Sequence, residues 1–271
     1  MLETTLNAQV TQRTEVSPGL LILRVAPVGW TFPDFTPGQF TVMALPGSAV
    51  RCEGAEDELQ APDPQKLIRR AYSIASSSVE KEYLEFYISL VRSGGLTPRL
   101  FALELGDRLW LSPKCTGMFT LKDVPEDKHA VFIATGTGLA PYMSMLRTYL
   151  EMNKPRKFAV LHGAYHSWDL GYRTELFTLQ RLCRNFAYMP IINEAQGEPI
   201  PWKGPTGFVQ DLWKGGVIKA AWGFQPTPEN THIFLCGHPA MIESVTSILI
   251  GEGFAEHSPQ KPGQIHTEKF W

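Results

Sequence analysis

Residues 130–141, "AVFIATGTGLAP", decide how the second half of the chain folds. Residues 130–135 make a compact apolar strand. Gly136 and Gly138 then let the backbone turn tightly, and Pro141 suits the first turn of a helix. Beyond it Tyr142, Met145, Leu146, Tyr149 and Leu150 fall on one helix face. The spacing is not GxGxxG, and a plain strand-to-helix turn needs glycine too. Position raises the signal: the carboxyl end of a parallel strand is where open α/β sheets bind ligands. The helix start also offers unpaired N–H groups to an anion such as a pyrophosphate.

Downstream the same rhythm repeats. "FAVLHGA" (158–164) reads as a strand and 174–185 as a helix. "AYMPIIN" (187–193) precedes a loop rich in Gly, Pro and Trp. "THIFLCG" (231–237) leads into a helix with Met241, Val245, Ile248 and Leu249 on one face. This βαβαβ progression predicts a parallel sheet with helices on both sides. "FLCGHPAMI" (234–242) is a second strand–glycine–helix turn. Cys236 there packs as a small hydrophobe or lines a pocket at the same sheet edge.

Upstream of residue 120 the pattern differs. "LLILRVA" (20–26), "QFTVMAL" (39–45), "IRRAYSI" (68–74), "YLEFYISLV" (83–91) and "DRLWLS" (107–112) are short β-rich runs. Turn residues separate them, as in Ser17-Pro18-Gly19, Pro37-Gly38, Gly94-Gly95 and Gly106-Asp107. An antiparallel barrel or sandwich follows. Residues 46–65, acidic and Pro-rich, read as an exposed loop, and the domain boundary falls near 121–128.

Composition narrows the function. A chain of 271 residues with 44% hydrophobic and 19% charged residues builds a substantial core. A net charge of −2 argues against general nucleic-acid binding. No segment reaches the apolar length of a membrane helix, and "MLETTLNAQV" is unlike a signal peptide. Cys52, Cys115, Cys183 and Cys236 are too scattered for a zinc or iron–sulfur site, so no metal is expected. Free thiols fit a reducing cytoplasm, and a monomer is expected.

"RRAYSIASS" (69–77) puts Arg70, Tyr72 and Ser73 within four residues of one strand. Arginine pairs with phosphate, tyrosine stacks on planar rings and serine donates a hydrogen bond. A strand with mixed faces carries the same residues. "SGGLTPRL" (93–100) adds a Gly-rich turn with Thr97 near a helix start, a second phosphate cradle. Two such sites suggest two nucleotides. "HTEKFW" closes the chain on Phe270 and Trp271, aromatics that either dock on the core or stack on a cofactor.

Together these segments resemble the ferredoxin (flavodoxin)–NADP reductase family, in its short bacterial branch. The resemblance runs through RxYS at 70–73, "LEFYISLVRSGGLTPRLFAL" at 84–103, GTGxxP at 136–141, CGxPxM ending at Met241, and the terminal "EKFW". It implies a two-domain chain: an N-terminal antiparallel β-barrel that binds FAD (1–122) and a C-terminal α/β parallel-sheet nicotinamide-nucleotide domain (123–271), whose aromatic tail returns to the flavin.

Residue by residue, Arg70 resembles the ligand of the FAD pyrophosphate. Tyr72 resembles a stacker on the flavin, and Ser73 a neighbour of its N5 edge. Ala71, Tyr87 and the turn Gly95, Leu96 and Thr97 join the FAD set, with Trp271 against a folded-back adenine. Thr135, Gly136, Thr137, Gly138, Pro141, Gly237 and Met241 match the NAD(P) set, with His166 and Glu194 near the ribose. Cys236 and Glu268 match residues that crowd the nicotinamide, and Phe270 the aromatic that covers the flavin. Ser73, Cys236, Glu268 and Phe270 are the catalytic candidates.

The implied activity is hydride transfer between NADPH or NADH and the flavin, with single electrons passing to or from ferredoxin or flavodoxin. Two alternatives stand beside it. One is the NADH-dependent reductase of a multicomponent oxygenase, serving an oxygenase ferredoxin. The other is a non-catalytic flavin-binding electron-transfer subunit of a larger complex. Lys66, Arg69, Arg92 and Arg99 are candidates for a basic partner surface. One departure bears on the nucleotide. NADP-specific members hold the 2′-phosphate with arginines or a serine–arginine pair, but here Asn193-Glu194 and Phe208 stand where arginine is usual. A carboxylate near a ribose 2′-OH favours NAD, so NADH is expected to serve at least as well as NADPH.

Overall fold

The computed structural model describes residues 6–152 and 154–269, so Phe270 and Trp271 lie outside the described residues. Contacts divide the chain into two units: Met1–Thr120 with Ala140–Thr148, and Leu121–Leu139 with Tyr149–Trp271.

The first unit carries β1 (Ala8–Ser17), β2 (Leu20–Pro27), β3 (Phe40–Pro46), β4 (Leu67–Ser73), β5 (Leu84–Ser89), α1 (Thr97–Phe101) and β6 (Arg108–Leu111). Their order in one antiparallel sheet is β4-β3-β6-β1-β2-β5. Ser17 pairs with Leu20, so Pro18-Gly19 alone closes the first hairpin, and Gly19 takes the positive φ of 96° that this turn requires. The sheet's two ends meet. Past the end of β4, the Ala75 N–H donates to the Glu85 carbonyl of β5 at 2.8 Å. Tyr72 of β4 packs edge-on against Phe86 of β5, with centroids 6.5 Å apart. The closed interior holds Leu21, Leu23 and Val25 of β2, Met43 and Leu45 of β3, and Phe86 and Ile88 of β5. Each such side chain contributes about 1.5–3 kcal/mol by leaving water.

β1 has no counterpart in the sequence reading. Gln9, Thr11, Gln12, Arg13 and Glu15 hide its strand character, and two register shifts against β2 break its alternation.

From residue 121 the chain runs β7 (His129–Thr135), α2 (Ala140–Tyr149), β8 (Phe158–Ala164), α3 (Arg173–Leu182), β9 (Phe186–Ile192), α4 (Val209–Lys214), α5 (Val217–Trp222), β10 (Thr231–Cys236), α6 (Pro239–Gly251) and β11 (Ile265–Glu268), all but α2 in the second unit. Residues Ala140–Thr148 of α2 cluster with the first unit. The sheet order is β11-β10-β7-β8-β9, all parallel. One sheet face, with Val131, Ile133, Leu161, Ile233 and Leu235, packs on α4, α5 and α6 through Leu212, Trp213, Ile218, Trp222, Val245 and Leu249. On the other face the Phe132 ring lies 5.9 Å from Phe158 and 5.7 Å from Phe234. Phe177 of α3 meets Tyr188 of β9 at 5.0 Å. Helices therefore flank both faces. α2 departs from the single-stripe expectation: Tyr142, Met143, Ser144, Met145 and Leu146 are all buried, so burial runs round the helix. Among the described residues no helix is long and apolar enough to cross a membrane.

Candidate functional site

In the parallel-sheet unit, β7 and β10 are neighbours, with Ala134 opposite Cys236. Their carboxyl ends turn sharply, and the two turns interlock. Gly136 has a φ of 53° with open space where a Cβ would point. Gly138 packs so tightly that a Cβ there would run into the Cys236 carbonyl. Gly237, at a φ of 139°, faces Thr135 in the same way, and the Thr135 hydroxyl accepts the His238 N–H at 2.8 Å. Thr135, Gly136, Thr137 and Gly138 thus meet Cys236 and Gly237 at one sheet edge. Pro141 lies in the first turn of α2, and Met241 is buried in the first turn of α6.

Cys236 is fully buried, and burial together with the Glu268 carboxylate pushes its thiol well above the ordinary range. It stays an S–H, a packing group rather than a thiolate nucleophile. Glu268 lies in register opposite Cys236, across β10 and β11. Beneath the loop sits a residue that the sequence reading passed over. His162 of β8 is completely buried, with Nδ1 3.1 Å from the Tyr188 hydroxyl and the Gly136 backbone as its other polar neighbour. Burial pulls its pKa down to about 4, so it is neutral. A histidine inside the apolar run "FAVLHGA" is the signal that would have found it.

At the carboxyl ends of β8 and β9 the chain gathers aromatic and charged groups. His166 stacks on Trp168 with centroids 4.4 Å apart, and its Nδ1 lies 3.4 Å from Asp169 Oδ2. The Arg173 guanidinium lies 4.8 Å from the Trp202 ring centroid. Glu194 is exposed, and its backbone N–H donates to Tyr165 at 2.9 Å. Tyr165, just after β8, and Phe208, just before α4, are exposed rings.

In the barrel unit, Arg70 is exposed, donates to the Arg69 carbonyl at 2.8 Å and pairs with no carboxylate among the described residues. A cation left open in this way fits a phosphate. Tyr72 is half-buried, and burial raises its phenol pKa, so it remains neutral. Ala71 is exposed, while Ser73 and Tyr87 are buried. The turn before α1 differs from the sequence reading in one respect. The Thr97 hydroxyl accepts the Val91 N–H at 3.0 Å and donates back to the Val91 carbonyl at 3.1 Å. It closes the turn that shapes Gly95 and Leu96.

Arg99 is also reassigned. It is only 3% exposed and donates to both Glu58 oxygens, at 2.8 and 2.9 Å, and to the Gly95 and Gly47 carbonyls. A buried guanidinium whose two terminal nitrogens are committed to Glu58, Gly95 and Gly47 offers nothing to a partner surface. Arg51 reaches Glu58 at 3.0 Å as well, so this part of the 46–65 loop is clamped over the turn. Among the described residues no cluster of His, Cys, Asp and Glu is arranged to hold a metal ion.

The profile of the oxidoreductase NAD-binding domain matches residues 132–247. A flavodoxin/ferredoxin–NADP reductase of Buchnera aphidicola (from Baizongia pistaciae) is 31% identical over 207 residues, covering 76% of this chain and 82% of that one. The phenol hydroxylase P5 protein of Acinetobacter pittii is 34% identical over 203 residues, covering 74% of this chain and 53% of that protein. Among solved structures, a ferredoxin NADP+ reductase from Neisseria gonorrhoeae with bound FAD and NADP superposes with a TM-score of 0.79 at 23% identity, covering 98% of both chains. An antiparallel barrel unit and a parallel-sheet unit with interlocked glycine turns define a two-domain oxidoreductase fold. The chain belongs to the flavodoxin/ferredoxin–NADP reductase family.

Proposed function

We propose that this chain is an FAD-dependent reductase that exchanges electrons between a reduced nicotinamide nucleotide and a one-electron protein carrier, ferredoxin or flavodoxin, in the cytoplasm and as a monomer. Residues 1–122 bind FAD and residues 123–271 bind the nucleotide. The observation that carries the reading is the pair of glycine turns at one sheet edge: Gly138 packs against the Cys236–Gly237 turn, while Gly136 faces open space where a Cβ would point.

The residues present fit both groups. Arg70 neutralises the FAD pyrophosphate and Tyr72 supplies a flat, neutral ring for stacking. Ser73 offers its hydroxyl to the reactive edge. The Gly136–Gly138 turn brings backbone N–H groups to the phosphates of the nucleotide. Cys236, held as a thiol, and Glu268 border the nicotinamide. When bound, FAD accepts a hydride and passes electrons on singly.

Purified protein is expected to be yellow, and NADH or NADPH bleaches the flavin anaerobically. Catalysed reduction of ferredoxin or flavodoxin completes the test. A colourless protein, or a flavin that neither nucleotide bleaches, moves the weight to the non-catalytic electron-transfer reading. The likeness to the phenol hydroxylase P5 protein supports a second reading, the reductase of an oxygenase. Faster turnover with an oxygenase ferredoxin than with flavodoxin would select it.

A further inference from the structure

Ser167 follows the carboxyl end of β8, the strand beside the one that ends in the glycine turn. In a dinucleotide-binding sheet this is the neighbourhood where the ribose 2′ substituent is read. Both donors of Ser167 are already taken. Its backbone N–H donates to Glu198 Oε1 at 2.7 Å and its hydroxyl to Oε2 at 2.6 Å.

Glu198 arrives from the loop after β9, directly behind the short turn Ala195–Gly197. Gly197 lies against the His166 ring, close enough that a Cβ would sit 3.4 Å from Nε2. The glutamate is therefore seated among donors and positive groups. Desolvation works to raise its pKa, but the two Ser167 bonds, then His166 and Arg173, hold it below the usual carboxylate range. Glu194 has no such seat: its side chain makes no hydrogen bond or ion pair among the described residues.

We propose that Glu198, not Glu194, sets nucleotide choice, by filling from within the chain the anion position at the ribose 2′ group. A 2′-hydroxyl can donate to this carboxylate. A 2′-phosphate meets a like charge and finds the Ser167 donors occupied. The chain thereby selects NADH over NADPH. The inference rests on reading this sheet as the nicotinamide-nucleotide site.

The test uses the full-length flavoprotein and two fragments, 5′-ADP and 2′,5′-ADP, titrated by calorimetry without turnover. Wild type is expected to bind 5′-ADP more tightly. Glu198→Ala shifts the ratio of affinities toward 2′,5′-ADP by about tenfold or more, with a parallel shift in the NADPH-to-NADH ratio of kcat/KM. Glu198→Gln keeps an acceptor for Ser167 and gives a smaller shift. In Glu198→Ala with Ser167→Ala the gain is lost, because the freed hydroxyl is the donor; mere loosening of the loop would leave it intact. An unchanged ratio in Glu198→Ala, or a wild type that prefers 2′,5′-ADP, overturns the proposal while the site reading stands. Failure of every variant to bind either fragment overturns both.

Discussion

Gly138 of the first glycine turn lies against the Cys236 carbonyl of the second, with no room between them for a Cβ. Two strand ends are thereby pressed into one edge. Gly138→Ala forces the turns apart at a cost of about 1–3 kcal/mol. Its thermal midpoint should fall, and its KM for the nicotinamide nucleotide should rise more than its flavin affinity changes. An unaltered KM would show that the interlock does not shape the nucleotide site.

Arg70 stands exposed and without an acid partner, so its loss should leave the fold intact. Losing one charge-assisted bond to phosphate costs about 1.5–3 kcal/mol, roughly a ten- to hundredfold weakening of FAD binding in Arg70→Ala. Fluorescence release of flavin on dilution measures it. Lysine should recover part of the affinity, since it keeps the charge but not the planar fork.

Glu85 is nearly buried and meets Arg24 Nε at 2.7 Å and Arg147 Nη1 at 2.7 Å. Arg147 also donates to the Ala75 carbonyl at 2.8 Å, beside the closure of the barrel. Glu85→Gln leaves two arginines facing a neutral amide, with an expected loss of about 3 kcal/mol in urea unfolding. A variant within experimental error of wild type would mean that water repays the lost ion pairs.

Acid sensitivity should come from the histidines of the parallel sheet. His232 and His266 lie 3.0 Å apart through ring nitrogens, and the His257 ring centroid lies 4.4 Å from that of His266 at a 30° tilt. Burial, and then the neighbouring imidazoles, pull His232 to about 4 and His266 to about 3. Both values lie below the unfolded one, so the unfolded chain binds protons first on acidification. Stability is expected to be flat above pH 6.5 and to fall as the pH drops from there toward 4. Urea midpoints at pH 7.5 and pH 5 test this, and His266→Asn should flatten the profile. A midpoint that does not fall at pH 5 would contradict it.

Much of this is legible in the sequence where local chemistry and tertiary demand agree. "FAVLHGA" is a strand over the very residues expected, because a central parallel strand is apolar on both faces. The glycine turns are legible because backbone geometry demands glycine there. β1 is not, since a half-solvated strand of Gln, Thr, Arg and Glu takes its stability from pairing with β2 and β6. Nor is β11, four residues held by β10. At the site, Arg70 and Tyr72 stand out as residue types, but the pairing of Arg99 with Glu58 and the seating of Glu198 on Ser167 depend on partners 41 and 31 residues away.

The barrel is expected to hold a flavin that a nicotinamide nucleotide reduces. Anaerobic stopped-flow mixing of the purified protein with NADH, and separately with NADPH, measures it at the flavin absorbance. Rapid bleaching is expected, faster with NADH. Absence of a bound flavin, or a flavin that neither nucleotide bleaches, would contradict it.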